Sequence, residues 1–140
     1  MLMCDVNVLV YAHREDSPNH SRYRQWLEDQ INSDASFAVS ELVLSGFLRI
    51  VTHPKIFDPP SAREDALEFV GAIRSQANCV VVSPQARHWD IFLKLCQVAN
   101  AKGNLIPDAY HAALAIEAGC EWITTDRGFS RYPGLRWRTP

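Results

Sequence analysis

Four carboxylates, Asp5, Glu41, Asp108 and Asp126, each stand where an apolar run stops or a helix begins. Ionised carboxylates gathered in one place repel and lose hydration unless a cation offsets them, and an all-oxygen donor set suits a hard divalent ion such as Mg²⁺ or Mn²⁺. Singly, each acid has a structural role open to it. Asp5 can cap a helix, Glu41 and Asp108 can complement helix dipoles in first turns, and Asp126 can form the turn in TTDRG. Their coincidence at one rim is what points to metal-dependent chemistry. Asn7, two residues after Asp5, adds a neutral donor or acceptor, or a local helix-start cap.

These acids lie far apart in the chain, so a fold that gathers strand ends must bring them together. Leu2 to Cys4 reads as a buried strand ending at Asp5, followed by a helix from Val6 to Ala12. Asn19 to Ile31 reads as a helix and Phe37 to Val39 as a second strand. Ser40 then caps a helix whose apolar face is Leu42, Leu44, Phe47, Leu48 and Val51, ended by Pro54. Ser61 with Glu64 forms a capping-box signature before Ala66, Leu67, Val70 and Ile73. Cys79 to Val82 has the composition of a buried strand. Pro84 to Ala101 reads as a helix with Trp89, Phe92, Leu93, Cys96 and Ala99 inward. Pro107 suits the first turn of a helix that stops at Gly119, Cys120 to Thr124 is a strand, and Leu135 to Trp137 a further one.

Short strands alternating with helices predict an α/β fold, a three-layer α/β/α arrangement around a mainly parallel sheet. In such sheets ligands bind beyond the carboxyl ends of the strands, where Asp5, Glu41 and Asp126 fall, and Asp108 reaches the same rim from a helix start. At 140 residues and 47% hydrophobic, residues 1–140 make one domain with a core of its own. Cys4, Cys79, Cys96 and Cys120 show no C-x-x-C pairing and sit in or beside apolar runs, as free thiols of a reducing compartment do. No signal peptide or membrane span is read, so the expected location is cytoplasmic.

The net charge of −2 disfavours a generic polyanion binder, yet the signs are uneven: residues 71–140 hold 8 Lys and Arg against 5 Asp and Glu. After Asp126 every charged side chain is an arginine, Arg127, Arg131, Arg136 and Arg138, forming either a solvated tail or a phosphate-contacting rim. The glycine signatures of phosphate loops, dinucleotide sites and nucleophile elbows are absent from the sequence. His111, three residues after Asp108, reads as structural or peripheral. Trp26, Trp89 and Trp122 read as core, and so does Trp137, although its arginine neighbours would also let it stack on a base.

The segments DVNVLVYA, SELVLSGFLRIVTHP, IPDAYHAALAIEAG and WITTDRGFSRYPGLRW, taken in this order, resemble the PIN-domain ribonucleases and, more narrowly, the VapC-type toxins of toxin-antitoxin pairs. The resemblance spans nearly the whole chain. It implies a PIN-like fold and an acidic site of Asp5, Glu41, Asp108 and Asp126, with Asp5, Asp108 and Asp126 on the metal and Asn7 and Thr125 as polar neighbours. It also implies a Mg²⁺- or Mn²⁺-dependent endoribonuclease acting on structured RNA such as tRNA or rRNA, inhibited by a cognate antitoxin and usually homodimeric. Gly128 departs from the pattern, because members often carry another acid there, so one metal or two stays open. Rival readings are a haloacid-dehalogenase-like phosphatase, which needs an acid where Asn7 stands, a receiver-type phosphoacceptor domain, and a weakly catalytic partner-binding domain of similar fold.

Overall fold

Strand register is what brings the chain's distant segments together. The computed structural model describes residues 1–140. In chain order the elements are β1 (Leu2–Cys4), α1 (Val6–His13), α2 (His20–Ile31), β2 (Phe37–Ser40), α3 (Glu41–Val51), α4 (Arg63–Arg74), β3 (Cys79–Val82), α5 (His88–Val98), α6 (Leu105–Ala118), β4 (Glu121–Ile123), a 3₁₀ turn (Arg127–Arg131) and β5 (Trp137–Arg138). The five strands form one sheet in the order β3-β2-β1-β4-β5, every pairing parallel. β1 is therefore central, flanked by β2 and β4. The chain reverses its direction of travel across the sheet there, which is where an open α/β sheet leaves a crevice.

Helices begin and end where local chemistry dictates. The Asp5 carboxylate accepts from the Val6 amide at 2.7 Å and caps α1. Gly119, at φ 68°, terminates α6 in the left-handed conformation that costs glycine least. α3 buries Val43, Leu44, Phe47 and Val51, a stripe at helical spacing, against the sheet and α1. Ala109, Ala112, Ala113 and Ala115 of α6 are fully buried, and their small side chains let that helix lie close to β4 and α5. Trp122, Phe47 and Phe129 are the largest fully buried side chains of this core.

Several sequence expectations need correction. α5 is shorter than Pro84 to Ala101, and its inward stripe is His88, Phe92 and Leu95; Trp89 and Leu93 face outward, 60% and 42% exposed. The helix carries apolar residues on two faces, so periodicity alone did not select the buried one. Trp26 and Trp137 are only partly buried, whereas Trp122 is wholly enclosed. β3 is an edge strand, with Val80 and Val81 half-exposed, rather than the buried strand its β-branched run suggested. The Ser61–Glu64 capping box does not form, since Ala62 is the N-cap of α4 and no side chain caps it. The Ser61 hydroxyl instead meets Arg14 at 3.2 Å and His13 Nε2 at 3.0 Å. That same Arg14 clasps Asp16, donates to the Pro59 carbonyl and lies 4.3 Å over the Phe57 ring, fixing the loop between α3 and α4.

Candidate active site

Because Cys4 is paired with Ile123, the residues that follow, Asp5 and Thr124, emerge side by side at the carboxyl rim. The Asp5 amide still donates to the Ile123 carbonyl at 2.8 Å, so the carboxylate is set at the last rung of the ladder. Thr124, completely buried, donates its hydroxyl to Asp5 Oδ2 at 2.6 Å and accepts from the Asp126 amide at 3.0 Å. Asn7 donates to Asp5 Oδ2 at 3.2 Å and accepts from the Thr125 amide at 3.3 Å, tying the start of α1 to the end of β4. Asp126 in turn accepts from the Gly128 amide at 2.7 Å and opens the 3₁₀ turn.

Asp5, Asp108 and Asp126 line one cleft of about 360 Å³, together with Asn7, Tyr11 and Phe129. Asp108 arrives on the first turn of α6 and is half-buried, Asp5 is buried, and Asp126 is exposed. Burial pushes the Asp5 carboxyl up to about 6; the hydrogen bonds from Thr124 and Val6 oppose the rise, and the charges of Asp108 and Asp126 add to it. Asp108 is raised by burial first and then by Asp126, with Arg131 pulling the other way. The cleft thus holds more negative charge than the protein neutralises.

Glu41 stands apart from this group. It is the first residue of α3, exposed, and its carboxylate reaches Arg74 of the packed neighbour α4 at 4.0 Å, where it meets a cation rather than three like charges. The four C-terminal arginines also separate. Arg131 donates to the Gly128 carbonyl at 2.8 Å and so stays beside the acids, next to Arg127 in the same turn. Arg136 bonds the Gly119 carbonyl at 2.8 Å, before the start of β4 and hence at the opposite rim of a parallel sheet. Arg138 pairs with Glu121 at 3.3 Å. The basic tail of the sequence is divided by β5.

The residue that sequence reasoning missed is Thr124. Thr125 was the expected neighbour, yet only its backbone amide joins the network, while the buried hydroxyl one position earlier bridges Asp5 and Asp126. The parallel register of β1 and β4 would have revealed it. All four cysteines are free, and Cys4, the one beside Asp5, is pushed up to about 12 by burial and then by that carboxylate, so it stays a neutral thiol next to the site.

The donor set is all oxygen and fits a hard divalent ion. No three of these side chains stand at direct chelating distance of one ion. An ion that keeps several of its own waters and takes one or two carboxylates directly, as Mg²⁺ does, is compatible with that spacing.

The PIN domain profile matches residues 2–135. The chain belongs to the PIN domain family. It is 43% identical to ribonuclease VapC43 of Mycobacterium tuberculosis over all of this chain and 95% of that protein. It is also 43% identical to ribonuclease VapC25 of the same organism, over all of this chain and 99% of the relative. Among solved structures, VapBC2 of Rickettsia felis bound to a DNA fragment from its promoter superposes with a TM-score of 0.73 at 20% identity, covering 99% of this chain and 97% of that one, which speaks to fold. This PIN-domain protein is therefore of the VapC ribonuclease type, and the phosphatase and receiver readings fall away. No helix of it is long and apolar enough to cross a membrane.

Proposed function

We propose that this PIN-domain protein is a Mg²⁺- or Mn²⁺-dependent endoribonuclease that hydrolyses phosphodiester bonds in structured RNA, tRNA or rRNA, as the toxin of a toxin-antitoxin pair. The observation that carries the reading is the convergence of Asp5, Asp108 and Asp126 from three separate elements on one cleft with surplus negative charge. Full-length identity to VapC ribonucleases supports the same assignment.

Asp5 and Asp108, with Asp126 at the exposed edge, would hold the ion. When bound it supplies a water of lowered pKa and a counter-charge for the phosphate. The chain's own groups do the rest. Thr124 and Asn7 fix the Asp5 carboxylate from behind, so one geometry is presented before substrate arrives. Asp126, the most solvent-accessible of the three, would orient an attacking water and take its proton. Arg127 and Arg131, on the adjacent turn, supply positive charge where an RNA backbone must approach three acids.

An antitoxin offering an arginine to Asp5 and Asp108 would occupy the same carboxylates as the metal and silence the site. A homodimer is supported by the uncovered Trp89 and Leu93, one turn apart on α5. The test of function is incubation of the purified chain with total RNA and Mg²⁺, followed by mapping of new 5′ ends. A small number of discrete ends within tRNA or rRNA is expected. Ends that are absent, or equally present with EDTA, would reassign the protein to a non-catalytic partner-binding role.

A further inference from the structure

A second groove, of about 500 Å³, meets the acid cleft at Asp5, Val6, Ile50 and Asp108 and runs away from it between α3 and α6. Its construction follows from helical spacing. One wall is the α3 stripe Leu42, Ser45, Gly46, Arg49 and Ile50, and the other is Asn104, Pro107, Asp108 and His111 along the start of α6. Both sets repeat at three and four residues, so each helix turns a single face inward. Gly46 sits where the walls meet the floor, and a Cβ there would stand 3.1 Å from Val6 Cγ2, so the absent side chain keeps the base of the groove open.

Three polar side chains of this groove, Arg49, Asn104 and His111, make no hydrogen bond or ion pair within the chain. The ion pairs of the protein use Arg14, Arg24, Arg63, Arg74 and Arg138, and leave Arg49 free although it is exposed. Asn104 precedes α6 but makes no side-chain capping bond. His111 is only 8% exposed, stacks on Trp122 at 5.6 Å and 18°, and its Nδ1 has no hydrogen-bond partner. His111 lines the groove with the little surface it exposes, whereas Nδ1 itself is enclosed.

We infer that this groove is a nucleotide subsite that holds the residue next to the scissile phosphate of a single-stranded RNA segment. The inference rests on the ribonuclease reading above and gives it a substrate-specificity element. Arg49 takes the neighbouring backbone phosphate. Asn104 offers a donor and an acceptor to a base edge or a 2′-hydroxyl, His111 lines the floor beside it, and Leu42 and Pro107 supply apolar walls against which a base lies. The volume falls within the range of small-ligand pockets, and the groove is continuous with the carboxylates at which the cut phosphate must sit. One unpaired cation beside two carboxylates that a bound divalent ion would neutralise matches a phosphate-bearing nucleotide better than an apolar peptide face.

The test uses the intact protein and the four ribonucleoside 5′-monophosphates, followed by NMR of backbone amides and the imidazole of His111. Saturable shifts at Ser45, Gly46, Arg49, Asn104 and His111 are expected, with affinity falling about tenfold in Arg49→Ala, as loss of one charged contact would give. In cleavage assays Arg49→Gln and Asn104→Ala should raise KM with kcat largely kept and change the nucleotide preferred beside the cut. If nucleotides shift the groove but wild type cuts no RNA, the subsite stands and the ribonuclease reading fails. If wild type cuts RNA and the Arg49 and Asn104 variants match it in affinity, KM and preference, the subsite is overturned. Shifts produced there by a basic antitoxin-type peptide and by no nucleotide would also overturn it, and would assign the groove to a protein partner.

Discussion

The two clefts that meet at Asp5 and Asp108 differ in how their polar groups are partnered. On the β4 side Asp5, Asn7, Thr124, Asp126 and the Gly128 amide bond one another, so the Asp5 and Asp126 carboxylates are held in place without a ligand. On the α3 side Arg49, Asn104 and His111 Nδ1 are left without partners in the chain. Reaction geometry tolerates little displacement, whereas a site that must accept varied bases gains from groups free to reorient. The contrast assigns chemistry to the bonded cleft and recognition to the unbonded one.

The contrast is broken most severely at the acids. Asp5→Asn and Asp108→Asn should each lower kcat for RNA cleavage by at least about a hundredfold, while Arg49→Ala should act mainly on KM. Initial rates on a defined RNA over a concentration series check this. Comparable kcat losses at Arg49 and Asp108 would erase the division of labour.

Thr124 sharpens it. Thr124→Val removes the hydroxyl that bridges Asp5 and Asp126 and leaves a carboxylate oxygen and an amide short of a partner in the core. A stability loss of about 1–3 kcal/mol is expected, together with a fall in kcat, and Thr124→Ser should restore most of both. Denaturant unfolding of the two variants measures the first effect. A fully active valine variant would show that the network is scaffolding alone.

The pH dependence of stability separates the two sides again. The folded value of Asp5, about 6, lies above the ordinary carboxylate value, so its stabilisation is complete below about pH 4 and is lost as pH rises through 6. His111 runs the other way: burial brings it down to about 4, so its contribution is present above about pH 6.5 and lost as pH falls through 4. In wild type the two oppose each other across that window, and Asp108 adds to the Asp5 slope. Asp5→Asn, unfolded without divalent ions, should therefore gain stability relative to wild type as pH rises from 4 to 6.5, by roughly 2–3 kcal/mol at most. A constant difference across that range would mean that Asp5 is not held protonated by its surroundings.

Smaller effects belong to the periphery. Arg131→Ala should reduce the salt slope of RNA binding by roughly 0.7–0.9, and Arg136→Ala, at the opposite rim, should leave it unchanged. Glu41→Gln should cost less activity than either aspartate change, since its carboxylate faces Arg74 rather than the cleft. A salt series with a cleavage-dead Asp126→Asn background, and rates for Glu41→Gln, decide these points.

Much of this was legible in the sequence because it is local. Strand ends, the Asp5 cap and the Gly119 stop all follow from apolar runs and the residues that bound them, and the alternation of elements implied a mainly parallel sheet. What the sequence hid depends on register and on which helix face turns inward. Thr124 matters because Cys4 pairs with Ile123, and no local pattern encodes that pairing. Trp89 and Leu93 are as apolar as Phe92 and Leu95, and only the position of α6 decides which pair is covered. The arginine tail reads as one patch until β5 divides it, and Glu41 reads as a fourth site acid although it does not line the acid cleft and lies 4.0 Å from Arg74.

The central claim is that Asp5 and Asp108 act as one cation-holding unit, and metal-dependent thermal stability tests it most directly. Melting of wild type, Asp5→Asn, Asp108→Asn and the double variant should be followed at pH 7.5 across a Mn²⁺ and Mg²⁺ titration. Wild type should gain stability with metal, and each single variant should lose nearly all of that gain, with little further loss in the double variant. Undiminished stabilisation by metal in both single variants would contradict the account.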